Sequence, residues 1–325
     1  MYLVTGGAGF IGSHIVRALN DRGVRDVFVV DDLRRGEKFQ NLSDCEIADY
    51  ADKAAFRAAL AEGRLPPVRA ILHQGACTNT MEQDGRYLMD NNYTFSKELL
   101  EAALARGVPF VYASSASVYG TSGSGGFTPG PQNERPLNAY GYSKLAFDQH
   151  VRWRLARGGV TSTVVGLRYF NVYGPREAHK GRMASMVYHV HRQLLETGRA
   201  RLFEGTDGYG DGEQRRDFVY VEDVVDVNLS FADGPPRQAI VNLGTGQSRS
   251  FNELAAQVIA ANGRGEVEYI PFDPALADKY QSFTEADLTC LRAAGYARAF
   301  TSLEEGVARS VAAWAPRALL SGSER

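Results

Sequence analysis

The chain has 325 residues, of which 44% are hydrophobic and 23% charged, and its formal net charge at pH 7 is −2. This length and composition are typical of a globular protein with one large α/β domain or two smaller lobes. A net charge this close to zero argues against a protein that coats nucleic acid or an acidic membrane surface. No apolar run approaches the roughly 20 residues that cross a bilayer.

The cysteines and the N-terminal residues indicate the compartment. Cys45, Cys77 and Cys290 are too widely spaced for a disulfide framework or a zinc site. Such spacing fits a reducing environment. The first predicted strand begins at Tyr2, which leaves no room for a cleaved signal peptide. We therefore expect a cytoplasmic protein with no metal site, no membrane partner and no nucleic-acid partner.

Residues 2–170 alternate short apolar runs with segments of helical periodicity. The apolar runs predict buried parallel strands: YLVT (2–5), DVFVVD (26–31), AILHQGA (70–76), FVYASS (110–115) and TSTVVGLR (161–168). The periodic segments, each closed by glycine, predict helices: IGSHIVRALNDRG (11–23), DKAAFRAALAEG (52–63), DNNYTFSKELLEAALARG (90–107) and YGYSKLAFDQHVRWRLARGG (140–159). This alternation predicts an α/β fold with a doubly wound parallel Rossmann sheet.

The rhythm breaks after residue 170, which predicts a second, smaller α/β substrate lobe. Helical patterns occur near 183–197, 251–262 and 301–314, and an αβ unit occupies about 221–243. Glycine-rich runs at 120–131 and 205–214 predict surface loops. The predicted division is a Rossmann domain (1–170, rejoined by 217–243), a substrate-binding lobe (171–216 and 244–316) and a disordered tail (317–325).

A glycine triplet follows the first predicted strand and begins a helix, in LVTGGAGFIGSHIV. Gly6, Gly9 and Gly12 permit a tight turn and let backbone N–H groups and the helix N-terminus meet a pyrophosphate. Asp31 and Asp32 follow about 20 residues later, at the end of the second strand, as in dinucleotide-binding βαβ units. The sequence therefore predicts a dinucleotide site.

The choice between NAD and NADP stays open at this level. An acid at the end of the second strand binds the ribose 2′-hydroxyl of NAD and repels a 2′-phosphate. Four basic residues follow, which either hold that phosphate or are solvated surface charges: Arg34, Arg35, Lys38 and Lys53.

A tyrosine and a lysine four residues apart, Tyr140 and Lys144, share one face of a predicted helix. Lys144 is placed to lower the pKa of the Tyr140 phenol and to bind a ribose. Tyr142 lies about 200° from Lys144 around the helix and cannot share this role. Ser115 ends the strand FVYASS, where its hydroxyl can bond a substrate oxygen. Together with the glycine loop, these residues predict redox chemistry on a hydroxyl group.

Six further motifs accompany this set: GACTNTMEQDGRYLMDNNY (75–93), PLNAYGYSK (136–144), RYFNVYGPREAHKG (168–181), RRDFVYVEDVVDVNL (215–229), NLGTG (242–246) and LTCLRAAGY (288–296). With the glycine loop, they resemble the extended, nucleotide-sugar branch of the short-chain dehydrogenase/reductase superfamily. Within that branch the chain resembles the ADP-L-glycero-D-manno-heptose 6-epimerase family, from residue 1 to about 314.

The resemblance implies an isomerase that inverts C6″ of ADP-D-glycero-D-manno-heptose by transient oxidation with one tightly bound NADP per subunit. It implies a homo-oligomer, typically a pentamer, that makes the heptose donor of the lipopolysaccharide inner core. The implied cofactor contacts are Phe10, Ile11, Asp31, Asp32, Lys38, Lys53, Gly75, Ala76, Cys77, Thr78, Asn79, Asn92, Lys144 and Val172. The implied substrate contacts are Asn171, Lys180, Arg182, His189, Phe203, Glu204, Gly205, Thr206, Arg216 and Tyr280.

The family motif also implies that Lys180 is a second catalytic base, opposite Tyr140; the alternative is that Lys180 only binds the diphosphate. The chain departs from the family at Asp32, where asparagine is usual, at Arg182, which replaces a serine, and in a longer 205–214 loop. Arg216, beside Asp217, would form a surface ion pair on the sequence alone, whereas the resemblance makes it a diphosphate ligand.

Other functions fit the sequence less well. A 4,6-dehydratase needs an Asp-Glu pair just after the strand-end hydroxyl as general acid and base, and this chain has Ala116 and Ser117 there. A UDP-hexose 4-epimerase also uses serine, tyrosine and lysine but does not need the REAHKG loop. A redox-sensing binding module would have no reason to retain Ser115 with Tyr140 and Lys144.

Overall fold

The computed structural model of the chain describes residues 1–121, 126–272 and 280–315. The strands are, in chain order, β1 (Tyr2–Thr5), β2 (Val27–Asp31), β3 (Asp49–Asp52), β4 (Ala70–His73), β5 (Phe110–Ser115), β6 (Val164–Tyr169), β7 (Asn171–Tyr173), β8 (Arg199–Phe203), β9 (Arg215–Tyr220), β10 (Gln238–Leu243), β11 (Ser248–Ser250) and β12 (Glu266–Ile270).

The α-helices are α1 (Phe10–Asp21), α2 (Lys53–Ala61), α3 (Gly85–Leu88), α4 (Phe95–Ala105), α5 (Ala139–Ala156), α6 (Met186–Thr197), α7 (Val221–Asp233), α8 (Phe251–Asn262), α9 (Thr289–Ala293) and α10 (Leu303–Trp314). Short 3-10 turns occupy Gly36–Asn41, Ala116–Tyr119, Pro131–Asn133 and Ala178–Met183, and a π-helical turn spans Met89–Thr94.

Seven strands form one parallel sheet in the order β10-β6-β5-β4-β1-β2-β3. The direction in which the chain adds strands reverses between β1 and β4. At such a switch point the loops after the two strands diverge and leave a crevice for a ligand. The predicted doubly wound Rossmann sheet is therefore confirmed.

Helices cover both faces of this sheet, which is why its inner strands are mostly apolar. On one face, Ile15 of α1 and Val224 of α7 belong to one buried cluster with the strands. On the other face, Phe56 of α2, Leu99 of α4 and Phe147 of α5 belong to a second cluster. Every α-helix that covers the sheet is thus fixed by burial of one apolar side.

Two small sheets lie beyond the large one, in the orders β11-β9-β7 and β12-β8. They share a third buried cluster with α6, α8 and α10, to which Val187, Leu202, Leu254 and Val307 contribute. Residues 205–214 connect β8 to β9 as a series of turns. These elements bring a second set of side chains to the crevice side of the molecule.

The structure differs from the predicted elements in three places. The sequence DYAD gave no strand signal because β3 is a mostly exposed, polar edge strand. The helix predicted from residue 90 is preceded by the π-helical turn Met89–Thr94, which turns Asn91 and Asn92 into the interior. The strand predicted over 70–76 ends at His73, so the rest of that run is loop.

The predicted tail, 317–325, and residues 122–125 of the predicted 120–131 loop lie outside the described residues. In the part of the chain that the structure describes, no helix is long and apolar enough to cross a membrane.

A buried ion network joins β5, β6 and α5. Arg168 of β6 has no solvent exposure, and its guanidinium donates to the Asp148 carboxylate at 2.9 Å and to the Glu134 carboxylate at 2.5 Å. Asp148, on α5, also accepts from Tyr112 and Ser114 of β5, each at 2.9 Å. One carboxylate thereby fixes the helix against two neighbouring strands.

We predict that Arg168→Met lowers the free energy of unfolding by about 3–5 kcal/mol, because it leaves the buried Asp148 carboxylate without its cation and removes one of the two guanidinium partners of Glu134. Denaturant unfolding measures this loss. Arg152→Met is the matched control, since Arg152 also binds Glu134 but its side chain is 31% exposed, and it should cost much less. Equal stability of the two variants would contradict the prediction.

Candidate active site

The loop between β1 and α1 is a cradle formed by the backbone itself. Gly6 has φ +67°, and a Cβ atom on Gly12 would lie 2.1 Å from the Gly6 carbonyl oxygen, so neither position accepts a side chain. Helix α1 has no side-chain cap at Gly9 and no acidic residue in its first turn. Its N-terminal N–H groups and dipole therefore suit a diphosphate. This is the fit expected for a dinucleotide.

The loop after β4 lies directly against this cradle, because a Cβ atom on Gly6 would stand 2.7 Å from the Gly75 nitrogen. The Gly75 N–H donates to the Thr5 hydroxyl at 3.1 Å. The predicted 75–79 segment thus follows the switch point of the sheet, beside the glycine loop. Gly6, Gly9 and Gly12 are brought together with it as the sequence predicted.

The acidic end of β2 is already paired in this structure. Asp31 is buried, accepts from the Ala8 N–H at 2.7 Å and forms an ion pair with the Lys38 ammonium. The Asp32 carboxylate binds the guanidinium of Arg34 at 2.6 Å, which lowers the pKa of Asp32 to about 2. Lys38 is therefore not a solvated surface charge: its ammonium is joined through Asp31 to the backbone of the glycine loop.

Lys53 lies farther along this edge, where its ammonium donates to the Asn91 side chain at 2.7 Å. Asn92, on the same π-helical turn, bonds both the N–H and the carbonyl oxygen of Cys77, at 2.8 and 3.0 Å. Its amide also donates to the Ser143 hydroxyl of α5 at 3.0 Å. The π-helical turn therefore connects the 75–79 segment to the helix that carries Tyr140.

Ser115 and Tyr140 come together at the carboxyl end of β5. Tyr140 is buried, and burial raises the pKa of its phenol, an effect that the adjacent Ser115 hydroxyl opposes. The Ser115 hydroxyl accepts from the Ser117 N–H at 3.2 Å and the Ser117 hydroxyl at 2.9 Å. Tyr142 is 53% exposed and points away, as the helical spacing predicted. A phenol and a hydroxyl thus face the crevice side by side.

Lys144 is buried one turn beyond Tyr140, but it does not act on the phenol as the sequence suggested. Its ammonium donates to the Ala113 carbonyl oxygen of β5 at 2.8 Å. Burial lowers the pKa of Lys144 to about 8, although the charge of Asp148 opposes this shift. The pKa of Tyr140 is raised, not lowered. Desolvation is the main cause of the raised Tyr140 pKa, and the hydrogen bond with Ser115 is the effect that opposes it.

Lys180 lies on the loop of residues 174–185, called here the lysine loop. The Glu177 carboxylate, fully buried, closes this loop by accepting from the Gly174 N–H at 3.2 Å and from the Ser185 N–H and hydroxyl at 2.5 and 2.7 Å. The Lys180 ammonium stands 5.2 Å from the ring centroid of Phe10, the first residue of α1. The loop therefore holds Lys180 over the start of the glycine-loop helix.

The Lys180 ammonium has no hydrogen bond or ion pair to any residue that the structure describes. Burial lowers the pKa of Lys180, and the nearby Glu177 carboxylate opposes that shift. A desolvated lysine of this kind loses its proton more readily than a solvated one. It is therefore suited to exchange a proton as well as to bind an anion.

The other residues predicted to bind substrate lie in different surroundings. Arg216 is buried, and its guanidinium lies 4.9 Å from the Tyr280 ring centroid and 5.6 Å from that of Phe251. No carboxylate among the described residues lies within ion-pair distance of the Arg216 guanidinium. The surface ion pair with Asp217, which the sequence alone suggested, therefore does not form. Asp217 instead accepts from backbone N–H groups of Thr245, Gly246 and Ala286.

Phe203 stacks edge-on against Tyr280 at 6.4 Å between ring centroids, which brings the start of the 203–206 segment to Arg216. Glu204 and Gly205 are exposed and Thr206 is half-buried beside them. Asn171 and Val172 lie on β7 next to β9. His189 contacts the backbone of Arg182 at 3.4 Å, and the Arg182 side chain is exposed.

Residues that sequence reasoning passed over support these groups. His73 is buried between the Thr5 hydroxyl at 2.6 Å and the Ser96 hydroxyl at 2.8 Å, and burial lowers its pKa to about 3. Glu177 had no sequence signal beyond its place in the lysine loop. A carboxylate eight residues before a capping serine is not a recognisable local pattern.

The fold and this site together define a Rossmann-type enzyme that binds a dinucleotide beside a serine, a tyrosine, the buried Lys144 and the half-buried Lys180. The chain matches the NAD dependent epimerase/dehydratase family over residues 2–244. It belongs to that family, which confirms the predicted extended short-chain dehydrogenase/reductase class and supports a nicotinamide cofactor.

Individual relatives agree with this assignment. The chain is 57% identical, over 94% of its length and 95% of the relative, to an ADP-L-glycero-D-manno-heptose-6-epimerase of Alkalilimnicola ehrlichii. It is similar to the crystal structure of the Helicobacter pylori ADP-L-glycero-D-manno-heptose-6-epimerase, with a TM-score of 0.80 and 30% identity over 96% of this chain and 95% of that one. A Thermotoga maritima UDP-glucose 4-epimerase, crystallised with UDP-glucose, matches with a TM-score of 0.79 and 28% identity over 96% and 97%.

Proposed function

We propose that the chain is an ADP-L-glycero-D-manno-heptose 6-epimerase, which inverts C6″ of ADP-D-glycero-D-manno-heptose with one tightly bound NADP. The observation that carries this proposal is Lys180, a half-buried lysine with no hydrogen-bond or ion-pair partner among the described residues, held over the start of α1. A UDP-hexose 4-epimerase, the alternative, has no need of a second base at this position. The 57% identity to a heptose epimerase over 94% of the chain supports the same choice.

A bound nicotinamide would supply the transient oxidation of the secondary C6″ alcohol to a ketone and its reversal. Inversion requires the hydrogen to return to the opposite face of C6″, so the C6″ oxygen must lie on opposite sides of the site in the two half-reactions. One proton-exchanging group cannot reach both positions. The site therefore needs a proton donor and acceptor on each side, and Tyr140 and Lys180 fill these two roles.

Their opposite pKa shifts fit complementary tasks. Burial raises the pKa of Tyr140, so its phenol is protonated at neutral pH and can donate to the oxygen of the C6″ ketone. Burial lowers the pKa of Lys180, so its amine can accept the proton of the C6″ hydroxyl. Ser115 orients the oxygen on the tyrosine side. After one turnover the two protonation states are exchanged, and solvent or the reverse reaction restores them.

The remaining substrate contacts follow from charge. Arg216, buried and without a carboxylate partner, is suited to the diphosphate, because a planar guanidinium binds two phosphate oxygens at once. Tyr280 and Phe203 place aromatic faces beside it for the nucleoside. We assign Asn171, Arg182, His189 and the 204–206 segment to the sugar and ribose side.

The broader predictions belong to the same proposal. NADP is preferred over NAD because Lys38 and Lys53 supply cations at the ribose edge, with Asp31 and Asp32 partly neutralised by their own partners. Residues 1–170 with 217–243 bind the cofactor, and residues 171–216 with 244–316 bind the nucleotide sugar. The enzyme is a cytoplasmic homo-oligomer that supplies the heptose donor for the lipopolysaccharide inner core. The family resemblance implies that this oligomer is a pentamer.

The direct test is turnover of ADP-D-glycero-D-manno-heptose by the protein as purified, without added cofactor, compared with UDP-galactose. We expect only the heptose to be epimerised, and deuterium at C6″ to be retained in the product. Heavy water should introduce no deuterium at that carbon, because the hydrogen is returned internally. Solvent incorporation at C6″, or preference for UDP-galactose, would overturn the proposal.

Substitutions of Tyr140 and Lys180 should distinguish the roles of the two bases. We expect Lys180→Met to lower kcat by roughly 10²–10⁴ with little change in KM, as loss of general acid–base catalysis does. Lys180→Met and Tyr140→Phe should each still oxidise one C6″ configuration of a half-reaction substrate, and opposite ones. Lys97→Met, on α4, is the matched control and should keep normal kcat. A Lys180→Met variant that only raises KM would make Lys180 a diphosphate ligand.

The cofactor preference should depend on Lys38. We expect Lys38→Ala to weaken the affinity for NADP by about tenfold or more and the affinity for NAD by much less, because a charge-assisted phosphate contact is lost. Equilibrium binding at several salt concentrations measures both affinities, and the wild-type preference for NADP should shrink as salt increases. Lys38→Arg should retain most of the preference. Equal losses for the two cofactors would show that Lys38 only balances Asp31.

A further inference from the structure

The lysine loop is tied to the segment that follows β2. Asn41, the last residue of the 3-10 turn Gly36–Asn41, is buried, and its side-chain amide donates to the Ala8 carbonyl oxygen at 3.0 Å. The same amide nitrogen donates to the imidazole Nδ1 of His179 at 3.1 Å. Asn41 thus joins the glycine loop directly to the residue before Lys180.

Arg176 makes a second connection between the same two segments. Its guanidinium donates to the Asn41 carbonyl oxygen and, at 2.7 Å, to the Asp44 carboxylate. Its backbone has φ +66°, a left-handed conformation that favours glycine. An arginine at such a position indicates that its side-chain contacts offset the strain of its backbone. Arg176 therefore fixes the entry of the lysine loop onto the β2 segment.

The opposite end of this 3-10 turn reaches the ribose edge of the cofactor site. Lys38 lies three residues before Asn41 and pairs with Asp31, whose carboxylate also accepts from Ala8. A rearrangement of Lys38 or Asp31 on binding a ribose phosphate therefore acts on the same short turn that holds Asn41. The path from that edge to Lys180 consists of adjacent hydrogen-bonded groups.

We propose that Asn41, Arg176 and His179 are positioning residues that make the placement of Lys180 depend on occupancy of the cofactor's ribose edge. This inference rests on the proposed function, in that it takes Lys180 as a base and Lys38 as a cofactor ligand. Lys180 is then correctly placed only in the cofactor-loaded enzyme. By linkage, an ordered lysine loop also strengthens cofactor binding by the same factor.

The test is hydrogen exchange of the backbone amides of residues 174–185 in the full chain, with its cofactor and after cofactor removal. In the wild type we expect cofactor to slow exchange there by about fivefold or more, within the usual range of coupling between sites. Arg176→Gln should reduce that effect to near unity, and Asp44→Asn should reduce it in the same direction. The matched control is Arg17→Gln, because Arg17 also contacts Asp44, at its carbonyl oxygen (3.0 Å) and at its carboxylate (3.8 Å), but forms no hydrogen bond or ion pair with the lysine loop; it should behave as wild type.

Catalysis supplies the second measurement. Arg176→Gln should lower kcat by about 10- to 100-fold, as misplacement of a catalytic group does, while KM for the nucleotide sugar changes little. The Arg176→Gln, Asp44→Asn double variant should be no worse than Arg176→Gln alone. Cofactor-dependent protection that survives in Arg176→Gln would overturn the inference. The inference would also be overturned if amide exchange in Arg176→Gln became faster in α10 as much as in the lysine loop, because that would indicate general destabilisation. The exchange experiment needs no sugar substrate. Its result therefore stays informative even if the wild-type protein fails to turn over the heptose substrate, so failure of this inference and failure of the proposed function can be distinguished.

Discussion

The buried pair of Asp148 and Arg168 is the constraint on which the site depends. Helix α5 carries Tyr140 and Lys144, and its rotation against the sheet is set by the polar Asp148 as well as by burial of Phe147. Asp148, one turn after Lys144, accepts hydrogen bonds from β5 and from Arg168 of β6. Because a buried carboxylate without these partners would be very unfavourable, the helix has one acceptable rotation. In that rotation Tyr140 stands next to Ser115 and Lys144 reaches the Ala113 carbonyl.

A second constraint acts on the backbone at the switch point of the sheet. The loops after β1 and β4 approach so closely that Gly6 has no room for a side chain beside Gly75. This contact closes the base of the crevice, and we expect a bound dinucleotide to lie across it with its diphosphate at the N-terminus of α1. The lysine loop closes over the same helix at Phe10. The position of the cofactor cradle therefore also determines where Lys180 can act.

Much of this arrangement was predictable because it is encoded in short local patterns. Continuous apolar strands, the glycine triplet and the Tyr140–Lys144 spacing each express a rule that acts within a few residues. The sequence was uninformative where the partner is distant along the chain: β3 is an exposed edge strand held by pairing with β2, and Lys144 is bound by a carbonyl 31 residues away. The raised pKa of Tyr140 likewise results from burial by the whole fold, which no spacing of residues reports.

The cluster of cations in NVYGPREAHKGRMAS illustrates this limit and its resolution. By sequence the four basic residues are equivalent, but the structure gives them different surroundings. The Arg176 guanidinium donates to the Asp44 carboxylate and the Asn41 carbonyl oxygen. The His179 imidazole accepts a hydrogen bond from the Asn41 amide, and the Arg182 side chain is exposed. Lys180 alone is half-buried with no hydrogen-bond or ion-pair partner among the described residues. Since a partly desolvated ammonium is costly unless a ligand completes it, we infer that Arg176 and His179 hold the loop so that Lys180 is available to a ligand.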